Sequence, residues 1–143
     1  MPLSRVSHTT LRVRYAETDA MGIVHHSRYI PWFEVGRSDW MREAGLSYAD
    51  FTRMGYYLTV VELGARYHKP AYYDELVTVR TWVGAIRSRE IRMEYEVLNA
   101  AGETLVTGFT RHICITHDGR PVRLPQVLLD LLDHDTPEPG SAS

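Results

Sequence analysis

YAETDAMGIVHHSRYIPWFEVGR (Tyr15–Arg37) sets three acidic or threonine positions, a glycine and two histidines directly ahead of a helical pattern. Ile30, Phe33, Trp40 and Ala44 fall near one stripe at helical spacing. Gly36 lies on the same stripe, where its small size allows close approach to a sheet. Ser27 suits an N-cap, Pro31 is tolerated only near a first turn, and Gly45 suits the residue just past a helix end. The reading predicts one long helix over Ser27–Ala44, a loop over Asp19–His25 that bends at Gly22, and a short helical turn over Ser47–Arg53.

Around that helix the chain reads as strands. In Thr9–Ala16, Leu11, Val13 and Tyr15 share one face and Arg12 and Arg14 the other. Tyr57–Lys69 is rich in Val, Leu and Tyr and is stopped by Pro70. Leu76–Val83 puts Val77, Val79, Thr81 and Val83 on one face; Glu90–Leu98 alternates Ile91, Met93, Tyr95 and Val97 with charged residues. "NAAGE" reads as a hairpin turn into a last strand over Thr104–Thr116, and Gln126–Asp133 as a terminal helix. Short connections among the last four strands favour antiparallel pairing. One amphipathic helix against about five antiparallel strands is an α+β layer arrangement. A sheet with a single helix to cover it wraps that helix and leaves a face or an edge for a partner, most economically a second copy of the chain.

The 143 residues suit one domain over 1–134, with a frayed Pro-, Gly- and Ser-rich tail over 135–143. A hydrophobic content of 44% excludes a disordered chain, and a net charge of −2 argues against a broad nucleic-acid surface. The single Cys114, between Ile113 and Ile115, reads as a core residue and makes no internal disulfide. With no signal peptide and no bilayer-length apolar run, the expected location is the cytoplasm.

The chemistry-bearing residues are few. Neither a phosphate-binding glycine loop nor a Gly-x-Ser-x-Gly elbow is present. His25 and His26 diverge on a helix and His112 and His117 on a strand, so no metal is expected. Asp19 stands a few residues before a helix N-terminus, whose free N–H groups suit an oxygen gaining negative charge. A carboxylate there can attack an acyl carbon or activate water, chemistry that suits a thioester. On spacing alone, Asp19 reads first as a residue that caps a turn. Glu17 reads as solvated, and Tyr15 as a core aromatic of the first strand.

Tyr15, Thr18, Asp19, Gly22, Ile23, Val24, His26, Tyr29, Phe33, Glu34 and Arg37 follow the pattern Tyr-x-x-Thr-Asp-x-x-Gly-[IV]-[VI]-x-[HY]-x-x-Tyr and its helix. The segment resembles the opening of hotdog-fold acyl-CoA thioesterases of the 4-hydroxybenzoyl-CoA thioesterase-like family, including the Tol-Pal-associated branch. "ARYHKPAYYDELVTV" and "GRPVRLP" extend the likeness from about Leu11 to Pro125. The resemblance implies a hotdog fold, a homodimer with joined sheets, often paired into a homotetramer, and hydrolysis of acyl-CoA without a cofactor. It implies Asp19 as nucleophile or general base, His26 and Tyr15 in the same site, and carbonyl polarisation by the His26 N–H and amides near Gly22. Arg87, Ser88 and Arg89, at a strand turn, are then candidates for coenzyme A phosphates, beside the reading of an ordinary charged turn. Pro31 and His25 depart from the family pattern. Glu34 is a fallback carboxylate, taken from a branch that uses the long helix. A non-hydrolytic acyl-CoA or acyl-carrier-protein binding module on the same fold is the alternative.

Overall fold

The computed structural model describes residues 4–134; the tail expected over 135–143 lies outside them. The order is β1 (Ser7–Arg12), α1 (Tyr29–Ala44), α2 (Tyr48–Arg53), β2 (Tyr56–Tyr67), β3 (Leu76–Ile86), β4 (Glu90–Asn99), β5 (Thr104–Thr116) and α3 (Gln126–His134). The strands form one antiparallel sheet in the order β1-β3-β4-β5-β2. This is the hotdog arrangement, with α1 packed on β1 and β3. Although β2 and β3 are consecutive, β2 crosses to the far edge and pairs only with β5.

Period-2 alternation fixes the inner face. Val77, Val79, Thr81 and Val83 of β3, and Ile91, Met93, Tyr95 and Val97 of β4, are buried, and their neighbours along each strand are partly exposed. Against them α1 buries Tyr29, Trp32, Phe33, Gly36, Trp40 and Met41. Phe33 stacks on Tyr95 with ring centroids 4.4 Å apart. Gly36 gives the close approach expected of it: an added Cβ would collide with Thr81 Oγ1 and lie 2.9 Å from Val79 Cγ1. Gly45, at φ 106°, ends the helix as expected.

Strand ends shift by up to four residues, β3 for one running on to Ile86 where Val83 was expected, and two of the differing boundaries bear on the site. β1 ends at Arg12, and Tyr15 lies in a 3-10 turn over Tyr15–Glu17. Both the amide and the hydroxyl of Thr18 bond to the Tyr15 carbonyl, at 3.0 and 2.7 Å, and these local bonds replace strand pairing. Tyr15 is therefore not a core aromatic: it is 77% exposed. Ser27 is not the N-cap. The His25 imidazole takes that role, its Nδ1 accepting from the Ser27 N–H at 3.2 Å at the head of a 3-10 turn over His26–Arg28 that leads into α1. Pro31 is the third residue of α1, where its missing N–H costs no helical bond.

Candidate active site

Between Val13 and α1 the chain makes a small hairpin with Asp19 on it. Thr18 bridges Val24, the Asp19 N–H donates to the Ile23 carbonyl at 2.8 Å, and Gly22 turns the tip at φ 81°. Asp19 Oδ1 accepts from the Met21 N–H at 2.8 Å, so one carboxylate oxygen does hold a turn. Asp19 is half-buried and faces a cavity of about 350 Å³ with His26, Ile23, Tyr29, Tyr67 and Lys69.

His26 stands across this cavity at the start of the helical segment. The Tyr67 hydroxyl donates to its carbonyl at 2.8 Å, and the two rings meet edge to face at 6.4 Å. The His26 N–H leads the 3-10 turn and meets no acceptor among the described residues. The amide of Gly22 is already engaged by the Asp19 carbonyl at 3.0 Å, and that of Met21 by the Asp19 side chain. The cavity is thus lined by a carboxylate residue, an imidazole residue and two residues, Ile23 and His26, whose N–H groups meet no acceptor among the described residues, the kinds of group an acyl transfer uses.

The other expected residues lie elsewhere in the chain. Tyr15 is outside the cavity, edge-on to Tyr73 at 5.7 Å. Arg87, Ser88 and Arg89 form the exposed β3–β4 turn. The register puts Glu90, Ile113 and Thr59 in one row across β4, β5 and β2, and Tyr67 in the row of Val106 and Val97 at the other end. The turn therefore sits by the beginning of β2 and Asp19 by its end, separated by roughly 25–30 Å of strand. Glu34, on α1, lines a second cavity of about 410 Å³ with Arg37, Tyr57 and Thr59, at the same end as Arg87. Among the described residues no three His, Cys, Asp or Glu side chains converge as a metal site.

Glu17 corrects the expectation of a solvated side chain: it is 4% exposed. One carboxylate oxygen accepts from the Arg14 N–H at 2.8 Å; the other accepts from the Trp32 indole at 2.8 Å and the Arg14 guanidinium at 3.4 Å. Burial pushes its pKa up, but these donors outweigh burial and hold the carboxyl below the usual carboxylate range. The signal in the sequence was Trp32: an indole N–H on a buried helix face needs an acceptor. Tyr67 and Lys69 were also missed as cavity residues, because both read simply as the end of a strand.

Residues 13–132 match the Thioesterase-like superfamily. YneP of Bacillus subtilis, provisionally named an acyl-CoA thioesterase, is 35% identical over 126 residues, covering 87% of this chain and 91% of its own. A DHNA-CoA thioesterase from Staphylococcus aureus superposes with a TM-score of 0.84 at 39% identity, covering 90% of this chain and 87% of its own. The Thermus thermophilus protein TT1821, of unassigned activity, gives 0.85 at 40%, covering 91% and 99%. With the fold, the Asp19 hairpin and this likeness in agreement over nearly the whole described length, the chain belongs to the Thioesterase-like superfamily.

Proposed function

We propose that the protein hydrolyses acyl-CoA to a free acid and coenzyme A, with Asp19 as the reacting carboxylate. The observation that carries this is the cavity shared by Asp19 and His26, with N–H groups of Ile23 and His26 left without an acceptor among the described residues. Relatives named as acyl-CoA and DHNA-CoA thioesterases support the substrate class. The thioester carbonyl oxygen takes the His26 N–H. Asp19 either attacks the carbonyl carbon directly or removes a proton from a water that does. The C–S bond breaks and the thiolate of coenzyme A leaves and takes a proton; in the water route the acid forms at once with an oxygen from water, and in the direct route a mixed anhydride between Asp19 and the acyl group forms, which water then opens to release the acid and restore the carboxylate. His26 orients the water or the substrate. In this reading Gly22 serves by turning the loop that presents Asp19, and Tyr15 stays at the margin of the site.

The working unit in this reading is a homodimer. β2 has no strand on its outer edge among the described residues, and Tyr57, Val60, Val61, Leu63 and Tyr67 along it are 38–49% exposed. An apolar open edge of this length calls for a partner strand. Antiparallel pairing of two β2 edges about a two-fold axis sets the beginning of one against the end of the other. That joins each Asp19 cavity to the Glu34–Arg37 cavity of the partner subunit. It also swings the partner's Arg87, Ser88 and Arg89 towards the coenzyme A side. Pairing of dimers into a tetramer would use the outer sheet face, where Trp82, Arg92 and Phe109 line a groove of about 600 Å³.

The test is thiol release from a panel of short-chain, long-chain and aromatic acyl-CoAs, with the solution mass measured on the same sample. Turnover on at least one thioester by a species of two or four chains is expected. Saturable acyl-CoA binding with no thiol release from any of them overturns the hydrolase reading in favour of a binding module, and an active monomer overturns the shared site.

A further inference from the structure

Glu17 is the most deeply buried residue of the hairpin region apart from the apolar Val13 and Val24, and its neighbours Arg14, Tyr15 and Ala16 are all exposed. A carboxylate is almost never buried without partners, because losing its hydration has to be offset by donors in place. Here three N–H groups supply them, from Arg14 and Trp32. Both oxygens are used as acceptors, as an ionised carboxylate provides best; an amide in the same place would turn a donor towards a donor.

The same residue grips the hairpin from its backbone. The Glu17 carbonyl accepts the His25 N–H at 2.9 Å. One residue thus holds the strand exit through Arg14, helix α1 through Trp32 and the return arm of the hairpin through His25. Asp19 lies two residues after it and His26 one residue after His25. Trp32 continues the link: it meets Tyr29 edge to face at 4.9 Å, and Tyr29 lines the cavity while its hydroxyl accepts from the Ala71 N–H at 3.3 Å.

We propose that Glu17 is a positioning residue for the reaction: its clamp between Arg14 and Trp32 fixes where Asp19 and the His26 amide stand relative to each other. The inference rests on the reading of Asp19 as the reacting carboxylate. The hairpin is closed by few bonds of its own, and a shift of about 1 Å at a reacting group costs on the order of 100-fold in rate. Glu17 does not line the cavity, so its effect falls on kcat and not on substrate affinity.

The experiment compares Glu17→Gln, Trp32→Phe and the double variant, each alone and with Asp19→Asn. Each is assayed for kcat and KM on the acyl-CoA that wild type turns over fastest, and for Tm. Glu17→Gln is expected to lower kcat by about 10- to 100-fold with KM within about threefold, while the protein stays folded at assay temperature. The double variant is expected to be no worse than about twofold below Glu17→Gln, because both changes cut one link. Over Asp19→Asn, Glu17→Gln is expected to add nothing. A kcat within about twofold of wild type, or an undiminished loss over Asp19→Asn, overturns the proposal, the latter by showing an effect that does not pass through Asp19. Should Glu17→Gln fail to fold, Trp32→Phe, which removes one donor and leaves a small cavity that the melting measurement tracks, decides by the same thresholds. Full turnover by Asp19→Asn alone overturns the Asp19 reading instead, separately from a Glu17→Gln result that leaves kcat intact.

Discussion

In the proposed mechanism Asp19 has two roles, and a pair of substitutions separates them. Its Oδ1 holds the turn by accepting the Met21 N–H at 2.8 Å. Its other oxygen is the one available to chemistry. In Asp19→Asn the amide oxygen keeps the Met21 bond, so stability should change by no more than about 0.5 kcal/mol, while the negative charge is gone. Removing a general base costs on the order of 10²- to 10⁴-fold in rate. Asp19→Ala also loses the turn bond, about 0.5–1.5 kcal/mol, and should lower Tm by roughly 2–5 °C. The assay is steady-state thiol release beside thermal melting. The expected result is two nearly inactive variants, of which only the alanine form melts early. Turnover by Asp19→Asn above half of wild type refutes the catalytic role. An early-melting Asp19→Asn refutes the division of labour between the two oxygens. A single turnover in ¹⁸O-water then separates the two routes: label in Asp19 itself marks an anhydride between Asp19 and the acyl group.

Two further outcomes test the fold that carries the site. Gly36→Ala gains about 1 kcal/mol of helix propensity but forces a methyl group into Thr81 Oγ1 and against Val79. Overpacking of this kind costs about 1–3 kcal/mol, so a net loss of up to about 2 kcal/mol and a Tm lower by up to about 6 °C are expected; a Tm above wild type would show that the sheet yields. His112 is fully buried, and burial together with the nearby Arg37 charge pushes its pKa from 6.5 down to about 4. At roughly 1.4 kcal/mol per unit this is worth about 3 kcal/mol. The folded-state value is the lower one, so this contribution is complete above pH 6.5 and is lost as pH falls towards 4. Denaturant titrations across that window should show it, and His112→Gln should flatten the slope; an unchanged slope refutes the assignment.

The fold was legible because its elements announce themselves locally. β3 and β4 bury every second residue, and Thr104–Thr116 runs where its alternation says. The helix shows at Phe33, Gly36 and Trp40. The errors fall where a side chain competes with the backbone. Thr18 closes a turn on Tyr15 that cuts the first strand short, and the His25 imidazole caps a turn that a serine was expected to cap. The place of β2 was not legible either. Nothing local tells a strand rich in Val, Leu and Tyr that it will pair with β5, 39 or more residues on, and leave its other edge open.

The site was legible only in part, and for a related reason. Asp19, Gly22 and His26 lie within eight residues and share one local structure, so a motif can carry them. Glu17 lies in that same run, yet its role depends on an indole 15 residues away that meets it only after α1 has packed. Polar at a glance and next to a loop, it reads as solvated until burial is known. Arg87 and Glu34 show the opposite case: both belong to a sequence pattern, yet one folded chain holds them at the far end of β2 from Asp19. A motif names which residues a reaction uses. Whether they meet depends on strand register and on which copy of the chain supplies them. The open edge of β2, with Tyr57 at one end and Tyr67 at the other, is the feature that would let two copies supply what one chain keeps apart.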